Sequence, residues 1–236
     1  MWPPAVRAAP ATRLLPMRER IPTSPSRLAA RISLVNRRRK MRLFMDVMQP
    51  RPETSLVDVG VADTGFMTED GLAATQNFFE EMYPWPARIT AVSDVPLSNF
   101  QHLFPKIRTV VADGRHLPFP DASFDIAFSN AVVEHLEDLA SQRRFVHELC
   151  RVARHVFVTT PNRWFPIETH TLVPFVHWLP RQARNKTFAA LRRHNWDDIE
   201  LLGPSDLLSL FPPESRPRIV QRGITLAAVA EPEGDA

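Results

Sequence analysis

The sequence predicts an α/β protein with a doubly wound, seven-stranded, mostly parallel sheet and helices on both faces. Three observations support this prediction. Short apolar runs of strand length alternate along the chain with longer amphipathic segments of helical period. The first run, Leu56–Val59, is apolar except for Asp58 and leads into Gly60, a pattern typical of a buried parallel strand followed by a tight loop. The 236 residues are enough for one domain with a full core.

The first elements follow from this periodicity. A helix pattern begins at about Ser26 and is stopped by Pro50 and Pro52. Its apolar stripe is Leu28, Ile32, Val35, Met41, Phe44, Val47 and Met48, and the basic run at residues 37–40 is expected to face water. The next five strands are predicted at Leu56–Val59, Ile89–Val92, Thr109–Ala112, Asp125–Ser129 and Val156–Thr160. The helices among them are predicted at Ala73–Met82, Asn99–Phe104 and Leu139–Ala153.

The chain changes character after the fifth strand. A stretch rich in proline, tryptophan and histidine reaches Pro180, and a helix is expected near Gln182–Arg193. Another helix is expected to start at Pro204. The last two strands are predicted at Arg218–Arg222 and Thr225–Ala230.

The net charge of +3 is unevenly distributed. Residues 1–42 contain eleven basic residues and one acid, a net charge of +10, whereas the rest contains 18 basic and 25 acidic residues, a net charge of −7. Residues 1–25 form a basic, proline- and arginine-rich arm that is expected to be a disordered, solvated extension. A basic arm of this kind can instead bind nucleic acid or anionic lipid. It can also act as an organellar targeting segment. The body lacks a basic stripe with interleaved aromatic residues, so nucleic acid is not expected as the main substrate.

Composition also bears on location. No apolar run is long enough to cross a bilayer. The single cysteine, Cys150, excludes an intrachain disulfide and fits a reducing compartment. These features predict a cytoplasmic protein, and the sequence allows a homodimer.

Three acids stand at or just beyond the ends of three successive predicted strands: Asp58, Asp94 and Asp113. The carboxyl ends of parallel strands share one edge, which is where open α/β sheets bind ligands. Carboxylates at that edge can accept hydrogen bonds from ribose hydroxyls or from an exocyclic amine. A single aspartate at a strand end is more often a turn cap, but three at matching positions favour a nucleoside ligand.

Several motifs then resemble one enzyme family. The segments 117–130, 134–136 and 148–152 are similar to the class I S-adenosylmethionine-dependent methyltransferases, and closest to the small-molecule, quinone-pathway-like branch. The resemblance covers roughly Leu56 to Asn162. It implies a Rossmann-like fold, S-adenosylmethionine as cofactor, and O- or C-methylation of a small-molecule acceptor by in-line displacement. It also implies a domain over residues 26–232, with an acceptor-lid insertion at about 162–200.

The resemblance assigns cofactor-binding roles by position. The first motif would hold the methionine end, the acid after strand two the ribose hydroxyls, the acid after strand three the adenine amine, and the end of strand four the methyl. These positions are Asp58, Gly60, Ala62, Gly65, Asp94, Asp113, Gly114, Arg115 and Asn130. The loop departs from the family pattern, because Ala62 replaces the usual second glycine.

Acceptor-side candidates come from two segments. The catalytic candidates are His135, His170 and Glu168, and the substrate-binding candidates are Trp164, His177 and Trp178. A neutral imidazole can accept a hydroxyl proton, although His135 could equally be a wall of the pocket. The stretch after strand five could instead be a buried helical hairpin. No metal is expected, because Ala131 occupies the place of the first acid in the metal-dependent members that the pair Glu134-His135 resembles.

Two other functions remain open from the sequence. A non-catalytic protein of the same fold could bind S-adenosylmethionine or another nucleotide without turnover, because the glycine loop is incomplete. An NAD(P)-dependent oxidoreductase would need a full G-x-G-x-x-G run opening a helix, and the sequence lacks one.

Overall fold

A computed structural model describes residues 25–63, 77–167, 174–190 and 200–231. The strands in these ranges are β1 Leu56–Val59, β2 Ile89–Ser93, β3 Arg108–Val111, β4 Phe124–Asn130, β5 Ala153–Pro161, β6 Arg218–Arg222 and β7 Thr225–Ala230. The α-helices are α1 Pro25–Met48, α2 Phe78–Met82, α3 Ser98–Leu103, α4 Leu139–Val152, α5 Arg181–Ala190 and α6 Pro204–Leu208. No helix in the described ranges is both long enough and apolar enough to span a membrane.

The strands form one sheet in the order β3-β2-β1-β4-β5-β7-β6. Strands β1 to β5 pair in parallel, and β7 is antiparallel to both of its neighbours. The predicted seven-stranded, mostly parallel sheet is therefore confirmed. The strand order reverses between β1 and β4, so a crevice is expected at their carboxyl ends.

Helices cover both faces, because successive side chains of each strand point to opposite sides. On one face α1, α2 and α3 pack on the sheet. The ring of Phe44 on α1 lies edge-on to Phe79, Tyr83, Phe128 and Phe157, with centroids 5.0 to 6.2 Å apart. Aromatic pairs favour this edge-to-face geometry. The contacts of Phe44 therefore stabilise the packing of α1 on the middle of the sheet.

The opposite face is covered by α4 and α6. Phe145, Val146 and Leu149 on α4 and Leu207 on α6 belong to one buried cluster. Asp138 caps α4 by accepting a hydrogen bond from the amide of Ser141 at 2.7 Å. This capped, amphipathic helix fixes the second layer of the domain.

Helix α1 runs antiparallel to the strands and rises beyond their carboxyl edge. Phe44 packs in the middle of β4 and β5, whereas Lys40 reaches Asn130, the last residue of β4. One turn earlier, Asn36 donates to Thr225, which pairs with the end of β5. At 1.5 Å per residue, residues 25–36 extend about 17 Å further.

Two expectations for α1 are wrong. Val35 was assigned to the apolar stripe but is 60% exposed, and Lys40 was placed on the wet face but is only 8% exposed. The cause is the same in both cases. Val35 lies at the carboxyl edge of the sheet and contacts no buried cluster of the described residues, whereas Lys40 lies over the end of β4.

Most other boundaries agree with the sequence. β1, β6 and β7 have the predicted limits, while β5 begins three residues early, at Ala153. The described part of the second predicted helix is α2, and residues 73–76 lie outside the described ranges. β5 is longer than its apolar core because it continues to pair with β4 through the charged Arg154-His155 segment.

Candidate functional site

A cleft of about 690 Å³ opens at the carboxyl ends of β1 to β4, at the point where the strand order reverses. Its volume lies in the range of small-ligand pockets, about 300–1,000 Å³. Of the residues expected at the site, those that line the cleft are Gly60, Ala62, Asp94, Asp113, Gly114, Arg115 and His135. The structure thus brings residues from four separate loops to one edge.

Gly60 makes the turn out of β1. Its φ is +99°, a region that side chains with a Cβ rarely adopt. A Cβ here would lie 2.2 Å from Cγ2 of Val132, in the loop after β4. The Gly60 and Val61 amides both donate to the carbonyl of Val92, at 2.9 and 3.1 Å. The glycine is thus needed for the turn and for the close contact with Val132, while it also lines the cleft.

Asp58 does not line the cleft. Its neighbours Val57 and Val59 face the α4 layer, so strand alternation turns the Asp58 side chain toward α2, where it forms a hydrogen bond with Glu80. Both acids are 5% exposed. Burial raises the pKa of Asp58 well above its usual value and raises that of Glu80 to about 7. The two carboxyl groups therefore hold a proton between them.

The loop after β1 is anchored by a residue that sequence reasoning did not single out. Oδ1 of Asp63 accepts from the amide of Phe100 at 2.7 Å, and Oδ2 accepts from Nδ2 of Asn99 at 3.1 Å. Asp63 also lines the cleft beside Asp94. Its position three residues after Gly60 could have indicated a role, because an acid there can cap the helix that follows β2.

Asp113 is held in place by Arg115. The guanidinium binds both carboxylate oxygens, at 2.7 and 3.0 Å, and the Arg115 amide donates to Oδ1 at 2.8 Å. Hydrogen bonding to Arg115 keeps the pKa of Asp113 below its usual range. A Cβ on Gly114 would lie 2.6 Å from the Phe145 ring. The loop after β3 is therefore closely packed on α4 and presents an ionised, oriented carboxylate to the cleft.

Asn130 lies beside the cleft rather than on its lining. Its Oδ1 accepts from Lys40 Nζ at 2.5 Å and from Thr159 Oγ1 at 2.8 Å. Glu134, which is fully buried, accepts from Thr160 Oγ1 at 3.0 Å. A polar cluster thus occupies the carboxyl ends of β4 and β5. Lys40 was missed as a member, although its place one turn before Phe44 on the core stripe was a usable signal.

The acceptor-side candidates gather elsewhere. The Nε2 of His177 lies 3.0 Å from the carbonyl of Arg163, and Nε1 of Trp178 donates to the same oxygen at 2.7 Å. Trp164 is 62% exposed. These aromatic candidates do not line the 690 Å³ cleft. Gly65, Glu168 and His170 lie outside the described residues.

Comparison with known families gives a match for the central part of the chain. Residues 74–156 match the model of a methyltransferase domain. A protein named a probable S-adenosylmethionine-dependent methyltransferase, from two strains of Mycobacterium tuberculosis, is 37% identical over 73 residues. That alignment covers 30% of this chain and 26% of the relative, so the chain spans about a quarter of the length of the curated relatives that it matches.

Solved structures share the fold. A SAM-dependent methyltransferase from Thermotoga maritima aligns with a TM-score of 0.55 and 13% identity over 87% of this chain and 92% of that chain. The N-methyltransferase NodS from Bradyrhizobium japonicum, solved with S-adenosyl-L-homocysteine, aligns with a TM-score of 0.51 and 14% identity over 84% and 87%. Residues 74–156 thus resemble a methyltransferase domain, and the solved structures show that the chain shares the fold of S-adenosylmethionine-dependent methyltransferases.

Proposed function

We propose that this chain transfers a methyl group from S-adenosylmethionine to a small-molecule acceptor. The observation that carries the proposal is the cleft at the strand-order reversal, which collects the loops after β1, β2, β3 and β4. Ligands of open α/β sheets bind at this point. Its volume and its oriented carboxylates suit a nucleoside-containing ligand of moderate size.

The charges that line the cleft also fit the cofactor. Four acids, Asp63, Asp94, Asp113 and Glu137, face it together with one arginine, Arg115. When bound, S-adenosylmethionine supplies an activated methyl on a cationic sulfonium. A net negative cleft attracts such a cation, and this charge balance would oppose a ligand with several phosphates.

Each residue then has a role that its contacts support. Asp113, aligned by Arg115, would accept from the adenine amine, and Asp94 would accept from the ribose hydroxyls. Gly60 shapes the turn under the methionine end. The chain's main task in an in-line displacement is to align the donor with the acceptor and to exclude water. His135, exposed at the cleft, is the base candidate within the described residues if the acceptor must lose a proton.

The acceptor would enter from the side of β4 and β5. The segment 162–200 follows β5 at the same edge, and the amide of Arg163 in it donates to the carbonyl of Leu202. We propose that this segment covers the acceptor, with Trp164, His177 and Trp178 as its walls and with Glu168 and His170 as further catalytic candidates. We further propose that the reaction is an O- or C-methylation in the cytoplasm and that the protein can form a homodimer.

The direct test is ligand titration followed by turnover. Calorimetry should show S-adenosylmethionine binding to the full chain and no binding of NADH. Release of S-adenosylhomocysteine with a panel of phenols, carboxylic acids and activated carbon acids would then separate an enzyme from a binding protein of the same fold. Binding of NADH in place of S-adenosylmethionine would overturn the proposal.

A further inference from the structure

Lys40 is a buried cation at the edge of the proposed site. Its Nζ lies 4.9 Å from the centre of the Phe78 ring and donates to Oδ1 of Asn130 at 2.5 Å. The residue is 8% exposed. Burial, with Arg37 nearby, lowers the pKa of Lys40 to about 8. A lysine is rarely buried unless it is paired, so its position calls for a reason.

Arg37 is a second cation on the same face of α1, three residues earlier. Burial lowers the pKa of Arg37. Within the part of the chain that the structure describes, its buried Nη1 has no hydrogen-bond partner. A guanidinium is a fork of five donors that matches a carboxylate or phosphate in two parallel bonds. A buried guanidinium donor beside a second cation can bind an anion.

Two described acids act on this pair at longer range than an ion pair. Glu134 acts on Lys40 and Glu81 on Arg37 through their charges. Within the described ranges, however, no carboxylate oxygen lies within 4.0 Å of either cation. Lys40 therefore relies on a neutral amide oxygen and an aromatic face. Two neighbouring cations without a close counter-ion oppose folding, and a bound anion would relieve that repulsion.

The pair lies beside the cleft, at the carboxyl end of β4. Asn130, the partner of Lys40, is the last residue of β4, and the next residue, Ala131, lines the cleft. Asp94 and Asp113 lie over β2 and β3, on the opposite side of the strand-order reversal. The nucleoside half would therefore occupy the acidic side, which leaves the cationic side for the second substrate.

We propose that Arg37 and Lys40 form a recognition site for an anionic group, a carboxylate or a phosphate, on the methyl acceptor. The assignment to the acceptor rests on the proposed methyl transfer, whereas the anion site itself can be tested without turnover. Because the pair sits beside the cleft and not in it, the anion would orient the acceptor while another of its atoms faces the donor.

The chain contains only three lysines, at positions 40, 106 and 186, so lysine signals can be resolved individually. The full chain, labelled with ¹³Cε-lysine, would be titrated with inorganic phosphate and with acetate, against sodium chloride at equal ionic strength. The expected result is a saturable change of the Lys40 signal alone, with the exposed Lys106 and Lys186 as internal references. Saturation by one probe and not by the other would identify phosphate or carboxylate as the preferred group.

Arg37→Met should lower the affinity for the responding anion at least tenfold. Arg38→Met, which changes an exposed arginine next to it, should leave that affinity unchanged. A Lys40 signal that responds to neither anion, or that responds equally in Arg37→Met, would overturn the site. Titration of S-adenosylmethionine in the same samples separates the two proposals, because binding without a Lys40 response rejects only the anion site. A Lys40 response without binding of S-adenosylmethionine would reject the methyltransferase function.

Discussion

Gly60 is required by the backbone and by packing at the same time. Its φ of +99° strains any residue with a Cβ, and Val132 occupies the space where that Cβ would lie. We expect Gly60→Ala to destabilise the fold by about 2–4 kcal/mol, from backbone strain and overpacking together. Urea unfolding would measure the change. Gly223→Ala is the matched control, because nothing lies within 4 Å of a Cβ there, and equal effects at both glycines would contradict the argument.

Asp113 offers a test that separates binding from stability. The carboxylate is 43% exposed and paired with Arg115, so the pair adds little to folding. Asp113→Ala should therefore leave the melting temperature nearly unchanged and weaken S-adenosylmethionine binding by about 1–3 kcal/mol. Calorimetry and thermal unfolding on one sample decide this. Asp121→Ala removes another exposed acid paired with an arginine, Arg151, away from the cleft, and should affect neither quantity. Unchanged affinity in folded Asp113→Ala would reject its role.

The buried pair of Asp58 and Glu80 makes stability depend on pH. The folded-state pKa of Glu80, about 7, lies above the unfolded value of about 4.3. The folded protein thus binds more protons between these values. The stabilisation is complete below the unfolded pKa and is lost as the pH rises through about 7.

Glu80→Gln removes one of the two carboxyl groups that share the proton. Between pH 5 and pH 8 the variant should lose less unfolding free energy than the parent, by on the order of 2 kcal/mol. Urea unfolding at several pH values would show the difference. Glu81→Gln, an exposed acid on the same helix, is the control and should follow the parent curve. Parallel curves for Glu80→Gln and the parent would mean that the pair does not share a proton in solution.

At the scale of elements, the second half of α1 covers the core of the sheet. Its first half extends past the carboxyl ends of the strands, beside the cleft. Phe44 is the residue that holds α1 to the sheet. Phe44→Ala should cost about 3–5 kcal/mol of unfolding free energy, since the ring is fully buried among four others. Val35→Ala on the same helix should stay within about 0.5 kcal/mol, because Val35 is exposed. A small change in unfolding free energy for Phe44→Ala would show that Phe44 does not stabilise the packing of α1 on the sheet.

Local pattern was enough for most elements and for part of the site. β1, β6 and β7 were bounded correctly because apolar alternation and turn residues are local signals. The motifs also predict a methyltransferase domain, and the match over residues 74–156 agrees with that prediction. Asp94 and Asp113 were expected at one edge, and both line the cleft.

The remaining positions depend on packing between distant elements, which the sequence does not display. Asp58 lies at a strand end like the other two acids, but its direction is set by strand alternation and by Glu80 on α2. Lys40 sits in a basic run and is buried only because α1 crosses the end of β4. The roles of the stretch after β5 stay predictions.

At the scale of the molecule, the basic arm and the acidic body are expected to act independently. Residues 1–25 lack apolar periodicity, so their deletion should leave the melting temperature and the S-adenosylmethionine affinity unchanged. Thermal unfolding and calorimetry of the shortened chain would test this. A drop of more than about 5 °C would correspond to a loss on the order of 1–2 kcal/mol and would show that the arm packs on the body.

The position of β7 in the sheet affects how the chain folds during its synthesis. The strand follows β6 in sequence and is the last strand within the described ranges, yet it lies inside the sheet, between β5 and β6, and all six of its residues are buried. During synthesis on the ribosome, β5 therefore presents an unpaired edge until residues 225–230 emerge. An exposed edge recruits other chains, so nascent or prematurely terminated copies that end near Gly223 should be the species that aggregate.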